Sequence, residues 1–300
     1  MPTRLRHFTE YAAVRLIHGL LASLPFTWSM RLGEGIGGLW RLIDRRHRER
    51  VETQAMRVLN LDRKEANRFA RKNFRHYGLS LAEFCRLGAM RKEDIAGRVD
   101  LAGFDVLCRD LAAEGKGLVI VTAHLGNWEW GNSIATNLGL EGGSIARPLD
   151  NPRVNEFVRT IREHNGFRIL DKRGAIRGAL KYLKQGQVVA VLFDQDAGPN
   201  GLMSPFLGET ASTVTIPVEL AIRVGSPMVV AATMRRDDLP GHFILRYSAK
   251  TLRPVANADP ERETRRLVNS LNQELGELIR MYPEQWFWAH RRWKSRDGKQ

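Results

Sequence analysis

The spacing of apolar residues changes character near Gly117. Upstream, Ala12, Ala13, Leu16, Ile17, Leu20, Leu21 and Leu24 recur at helical intervals until Pro25 interrupts them, and residues 1–100 read as almost wholly helical. Downstream, short unbroken apolar runs alternate with amphipathic stretches. Residues 117–123 (GLVIVTA) and 187–193 (QVVAVLF) read as buried strands, and further strands are expected at 144–147, 167–170, 228–233 and 242–248. Helices are expected at 128–138, 153–164, 176–184, 213–224 and 261–282, the last with Leu267, Leu271, Leu275, Leu278 and Ile279 at helical spacing. Such alternation predicts an α/β fold with a mostly parallel central sheet flanked by helices. In open sheets of this kind ligands bind outside the carboxyl ends of the strands, so chemistry is expected in the loops after Ala123, Arg147 and Phe193.

The longest stretch free of Asp, Glu, Lys and Arg is residues 16–30, fifteen positions that include His18 and Pro25. A spanning helix needs about 20 apolar residues, so this run is short for one, and it lacks a signal-peptide cleavage pattern; spanning and lying on the membrane both stay open on the sequence. Its amphipathic, basic surroundings fit either a core helix or a helix lying in a membrane interface. The following stretch ends in RLIDRRHRER, a cationic block suited to anionic headgroups or to a solvated helix face. The expected division is a helical, membrane-associating segment, 1–45, and an α/β domain, 46–300.

Charge sharpens this picture without completing it. Lys and Arg number 47 against 33 Asp and Glu, a formal net charge of +14. That excess favours an anionic partner, whether membrane, acidic protein, phosphorylated substrate or nucleic acid. With 43% hydrophobic and 27% charged residues the chain is neither disordered nor fibrous. Two cysteines, Cys85 and Cys108, give no disulfide framework and no zinc motif.

Candidate chemistry begins directly after the first buried strand, at AHLGNWEW, residues 123–130. On one regular helix His124 and Glu129 would lie about 140° apart. They can meet only if His124 occupies a turn before the helix and Glu129 its first turn. Gly126 permits the tight backbone, and Asn127 is a natural N-cap. Such a Glu would accept the imidazole Nδ1–H, fix the tautomer and leave Nε2 as a general base. A buried histidine that merely caps a helix is the alternative on spacing alone. No GxSxG elbow, Cys–His pair, HExxH or GxxxxGK[ST] is present, so neither a protein nucleophile nor a metal is expected. GEGIGG, with Gly33, Gly35 and Gly38, fits GxGxxG formally, but no strand precedes it; close helix packing is expected there. A base without a protein nucleophile implies direct attack by a substrate hydroxyl.

Four ordered blocks carry a resemblance across nearly the whole chain: HLGNWE (124–129), RPLDNP (147–152) followed by Arg162, DQDAG (194–198) with FLG (206–208) downstream, and PEQWFWAHRRWK (283–294). Together they resemble the bacterial lipid A biosynthesis acyltransferases, the late lauroyl/myristoyl family within the glycerolipid acyltransferase superfamily. The resemblance implies His124 as general base and Glu129 as its orienting partner. It implies Arg162 as a contact for the oxyanion or an acceptor phosphate, and Arg147 as a contact for the acceptor phosphate. Either arginine would otherwise read as a surface ion pair. Asp194 and Asp196 occupy the third block; hydrogen bonds to loop backbone or neighbouring arginines are expected there in preference to Mg²⁺. Asn127, Arg147, Arg162, Asp194 and Asp196 are thus the expected substrate-binding residues. The tail tryptophans read as a nucleic-acid patch, an interfacial belt or core, and the resemblance favours a structural element near the active site. The implied reaction moves a fatty acyl chain from an acyl carrier protein or coenzyme A thioester to a hydroxyl of a lipid A precursor. It needs no cofactor and takes place on the cytoplasmic face of the inner membrane, against anionic lipid and without nucleic acid. Acylation of another glycolipid, such as a phosphatidylinositol mannoside, is the nearest alternative; a non-catalytic basic membrane- or nucleic-acid-binding protein is the more distant one.

Overall fold

The computed structural model describes residues 3–164, 166–171 and 174–298. Five helices come first: α1 (Thr3–Ser23), α2 (Phe26–Ile43), α3 (Arg45–Leu59), α4 (Arg63–Leu87) and α5 (Lys92–Ala96). Pro25 ends α1 as the spacing predicts, and Asp62 caps α4 through a reciprocal box with Glu65. The glycines of GEGIGG serve packing. Any Cβ on Gly33 or Gly37 would collide with the α4 backbone at Gly78 or Phe74, so α2 lies directly on α4. Gly35 and Gly38 face open space.

The α/β portion comprises β1 (Val99–Asp100), α6 (Phe104–Ala113), β2 (Leu118–Thr122), a 3₁₀ turn at Trp128–Trp130, α7 (Gly131–Asn137), β3 (Gly142–Ala146), α8 (Pro152–Glu163) and β4 (Arg168–Asp171). It continues through α9 (Ala175–Lys184), β5 (Val188–Leu192), β6 (Leu202–Phe206), β7 (Glu209–Thr213), α10 (Ile216–Val224), β8 (Met228–Arg235), β9 (Phe243–Tyr247) and α11 (Pro260–Met281). Seven strands form one sheet in the order β1-β9-β8-β2-β5-β3-β4, parallel except between β8 and β9. The parallel sheet and its flanking helices match the expected fold.

Two local expectations fail. The helix expected over 213–224 starts at Ile216, because Thr213 ends β7, whose antiparallel partner β6 makes a separate hairpin. The stretch 128–138 is not one helix but the 3₁₀ turn followed by α7. Trp286, Trp288 and Trp293 are fully buried, so the tail block packs into the core and presents no stacking face of these rings for nucleic acid. Among the described residues no helix is long and apolar enough to cross a membrane. Even so, α1 exposes Leu5, Phe8, Leu16, Ile17 and Leu20, while α2 exposes Trp28, Leu39, Leu42 and Ile43.

Candidate active site

Strands β2 and β5 pair in parallel with Thr122 opposite Leu192, and Phe193 N–H bonds the Thr122 carbonyl at 2.9 Å. Two residues beyond that register, His124 and Asp194 emerge side by side at the carboxyl end of the sheet. The His124 ring donates from Nδ1 to Asp194 Oδ1 at 2.9 Å. Asp194 Oδ2 accepts from the His124 backbone N–H at 2.9 Å and from Trp286 Nε1 at 2.8 Å. Three donors therefore fix a carboxylate with no solvent exposure, while the imidazole keeps 16% of its surface accessible.

Burial alone would push the Asp194 carboxyl up, but the His124 charge and hydrogen bond, with His290 and Trp286, hold it well below the ordinary carboxylate range. For His124 burial disfavours the imidazolium; the Asp194 carboxylate outweighs it, Glu129 adds to it and Arg162 opposes it. The net displacement is upward from 6.5. With Nδ1 held by Asp194, Nε2 carries the lone pair of the neutral ring, whose centroid lies 5.0 Å from that of Trp128 and 6.1 Å from that of Phe287.

Asp194 thus takes the Nδ1 position expected of Glu129. Glu129 instead receives a bidentate fork from Arg162, with Nε at 2.7 Å from Oε2 and a terminal nitrogen at 2.5 Å from Oε1, and also accepts from Trp128 Nε1 at 3.2 Å. Burial lowers the Arg162 pKa and the Glu129 charge more than restores it, so this guanidinium stays charged. Glu129 reaches His124 through its field and not through a hydrogen bond.

The turn between them is tightly built. Gly126 has φ +62°, and a Cβ there would strike the Thr233 carbonyl. Its N–H bonds the Gln285 carbonyl at 3.0 Å, and the Asn127 N–H bonds Thr233 at 2.8 Å. The Asn127 side chain makes no cap hydrogen bond. It is fully buried and donates to Glu83 Oε2 at 2.7 Å. Glu83, on α4, needs those donors because it is itself buried, and its other partner is Arg235 of β8, at 2.8 Å from Nε to Oε1. His76 sits against Arg235 and bonds the Gly126 carbonyl at 3.1 Å.

Two other expected ligands lie apart. Arg147 is a surface residue facing Asp150 at 3.7 Å, with 83% of its side chain exposed, which is the ion-pair reading. Asp196 ties down its own loop and the tail, accepting from Gly198 N–H at 2.9 Å, Ser295 Oγ at 2.7 Å and Ser295 N–H at 3.0 Å. Among the described residues no group of three or more His, Cys, Asp or Glu is placed to hold a metal ion.

A largely apolar chamber reaches Trp128, whose ring packs against that of His124. Thr122, Trp128, Glu129 and Arg162 form its polar end, where β2 runs toward His124. Phe104, Ile120, Ala135, Leu138, Ile145 and Leu245 line it, and Leu140 and Phe167, which precede β3 and β4, border it near the amino ends of those strands. An acid-backed imidazole thus stands near the polar end of a hydrocarbon-lined chamber, against the Trp128 ring that borders it.

Comparison with known proteins supplies the class. A family model described as bacterial lipid A biosynthesis acyltransferase matches residues 2–295, and the chain belongs to that family. It is an acyltransferase. Curated relatives include the lipid A biosynthesis lauroyltransferase of Escherichia coli (strain K12), 28% identical over 282 residues that cover 92% of this chain and 89% of the relative. The palmitoleoyltransferase of the same organism and a lipid A biosynthesis acyltransferase of Shigella flexneri are each 26% identical over 286 residues, 92% of this chain and 88% of theirs.

Proposed function

We propose that the protein transfers a fatty acyl chain from a thioester of acyl carrier protein or coenzyme A to a hydroxyl of a lipid A precursor, with His124 as the general base. The observation that carries this reading is the His124–Asp194 bond. By occupying Nδ1 it leaves the lone pair of the neutral imidazole on Nε2, free to take a proton. The acceptor O–H gives its proton to Nε2 as its oxygen bonds the thioester carbonyl carbon. The tetrahedral oxyanion collapses, the C–S bond breaks, and the departing thiolate takes the proton back from the imidazolium. Asp194, already ionised, stabilises that imidazolium without taking its proton. Arg162, fixed by Glu129 at the polar end of the chamber, supplies positive charge for the oxyanion or for an acceptor phosphate. Glu129 acts as a positioning residue for that guanidinium. The acyl chain of the donor occupies the chamber, where each buried methylene contributes about 0.8 kcal/mol.

The exposed apolar residues of α1 and α2 and the overall positive charge support attachment to the cytoplasmic face of the inner membrane, with the helices lying on the bilayer. His124→Ala tests the proposal: turnover of a radiolabelled acyl thioester with a tetra-acylated, phosphorylated disaccharide is expected to fall by roughly 10²–10⁴, while flotation with anionic vesicles persists. Near-wild-type turnover in this variant refutes the assignment of the base.

A further inference from the structure

Acylating a lipid requires two hydrocarbon-bearing molecules at one imidazole, and a single chamber accounts for only one of them. A second apolar groove lies between α2 and α4 and reaches the same place. Ile36 and Trp40 contribute from α2, Leu81 and Phe84 from α4, and Phe287 from the tail block. Trp128 and Glu129 line both this groove and the chamber. The two spaces therefore converge on the side chains that flank His124, one bounded by the sheet and α7, the other by the N-terminal helices.

The surroundings of the groove bear on what enters it. At about 100° per residue, Leu39 and Ile43 fall within roughly 60° of Ile36 around α2. Both are more than half exposed, so an apolar stripe on the outer surface of α2 runs up to the wall of the groove. A chain leaving a bilayer would meet continuous hydrocarbon along that path. Next to Trp40 in sequence begins a basic cleft bordered by Arg41, Arg45, Arg48, Arg63 and Lys64, with Glu49 and Glu52 its acidic members. Five cations against two carboxylates suit the phosphates of a glycolipid headgroup.

Resting on the acyl-transfer reading above, we propose that the α2–α4 groove seats the acyl chain of the acceptor, the one bearing the hydroxyl to be acylated, while the sheet-side chamber holds the chain of the donor. The N-terminal helices then do more than attach the enzyme to the membrane: they form half of the active site.

Photolabelling tests the assignment. The probe is a phosphorylated, acylated glucosamine disaccharide with a diazirine at the end of its hydroxyacyl chain, presented to the full chain in phosphatidylethanolamine–phosphatidylglycerol vesicles. Label is expected on peptides of α2 and α4 around residues 36–40 and 77–84. Label on β2, α7 or β3, or no label on either helix, overturns the proposal. Filling the groove gives a second readout. Ile36→Trp is expected to raise KM for the acceptor about tenfold, the cost of shutting out roughly two methylenes, without a matching change in KM for the donor. An unchanged acceptor KM overturns the proposal as well. If the unsubstituted protein acylates the disaccharide but label lies elsewhere, the groove assignment alone fails; if no acylated product forms at all, the acyl-transfer reading fails with it.

Discussion

Replacing Asp194 by Asn isolates the feature on which the proposed chemistry depends, because the structure dictates how the amide must sit. Two donors, the His124 backbone N–H and Trp286 Nε1, point at Oδ2. An amide oxygen can satisfy both, whereas an amide NH₂ in that place would leave two buried donors facing a third. The oxygen of the new amide is therefore expected at the Oδ2 position, which puts its NH₂ against His124 Nδ1. That nitrogen must then accept, and the imidazole proton moves to Nε2. The side chain stays in place while the base faces substrate with its lone pair filled. In hydrolases that share this imidazole–acid logic, the same change costs about 10⁴ in kcat through the wrong tautomer, so a loss of roughly 10³–10⁴ is expected here. A merely weakened hydrogen bond would cost only about 1.5–3 kcal/mol, or roughly 10–150-fold.

Thiol release from an acyl thioester, followed between pH 5 and 9 in the presence of acceptor, separates the two cases. The wild-type acid limb of kcat/KM is expected above pH 6.5, since the His124 pKa is raised and the base works only when neutral. With the carboxylate charge gone, burial dominates and the limb moves to lower pH even as the plateau falls. A variant that keeps more than about a tenth of wild-type kcat with an unshifted limb refutes the tautomer argument.

The remaining predictions test the chamber, the scaffold and the acid stability. Ala135→Phe intrudes on the chamber from α7 and is expected to move donor preference to shorter chains, each excluded methylene costing about 0.8 kcal/mol, or roughly fourfold in kcat/KM; an unaltered chain-length profile refutes the role of the chamber. Arg235→Met strands the buried Glu83 carboxylate and is expected to cost about 3–5 kcal/mol by urea unfolding, with the Gly126–Asn127 turn loosened; a loss below about 1 kcal/mol shows the pair is unimportant. His290 is half-buried with its Nε2 shut away from solvent, and its pKa is lowered to about 3, chiefly by desolvation, so between roughly pH 6.5 and 3 the unfolded chain binds a proton that the folded one refuses. Stability therefore falls as pH drops through that window, and His290→Gln should flatten the fall of melting temperature between pH 7 and 4.5; identical slopes in the two proteins refute the assignment.

How legible the molecule is in its sequence depends on how local the cause is. The strands at 118–122 and 188–192 are visible because buried parallel strands are continuous apolar runs, and Pro25, Gly126 and the GEGIGG packing act through their own backbones. The β6–β7 hairpin escapes notice because its turn is Leu207-Gly208, both at positive φ, and a leucine there carries none of the usual Asn-Gly signal. Asn127 looks like a cap because caps are local, whereas the partner that claims its side chain, Glu83, is 44 residues away. The role of Asp194 is hidden for the same reason, although one signal points to it. Once β2 and β5 are taken as neighbouring parallel strands in register, the residues just past their ends, His124 and Asp194, must adjoin.

That geometry also explains why the site holds two acids with separate duties. An acid on the same short turn as His124 has to fold back to reach Nδ1, and the 3₁₀ turn that begins at Trp128 carries Glu129 toward α8 instead, where Arg162 takes both its oxygens. An acid from the neighbouring strand needs no such bend, because sheet register delivers it. In the proposed reaction Glu129 is then free to hold a guanidinium where negative charge would develop, and Asp194 to hold the imidazole where positive charge would develop. Each ion of the proposed transition state would thus meet a fixed opposite charge, backed by a separate element of the fold, with little reorganisation required. Sequence spacing alone shows the HX₄E pair and invites a single dyad; the parallel sheet divides it into two.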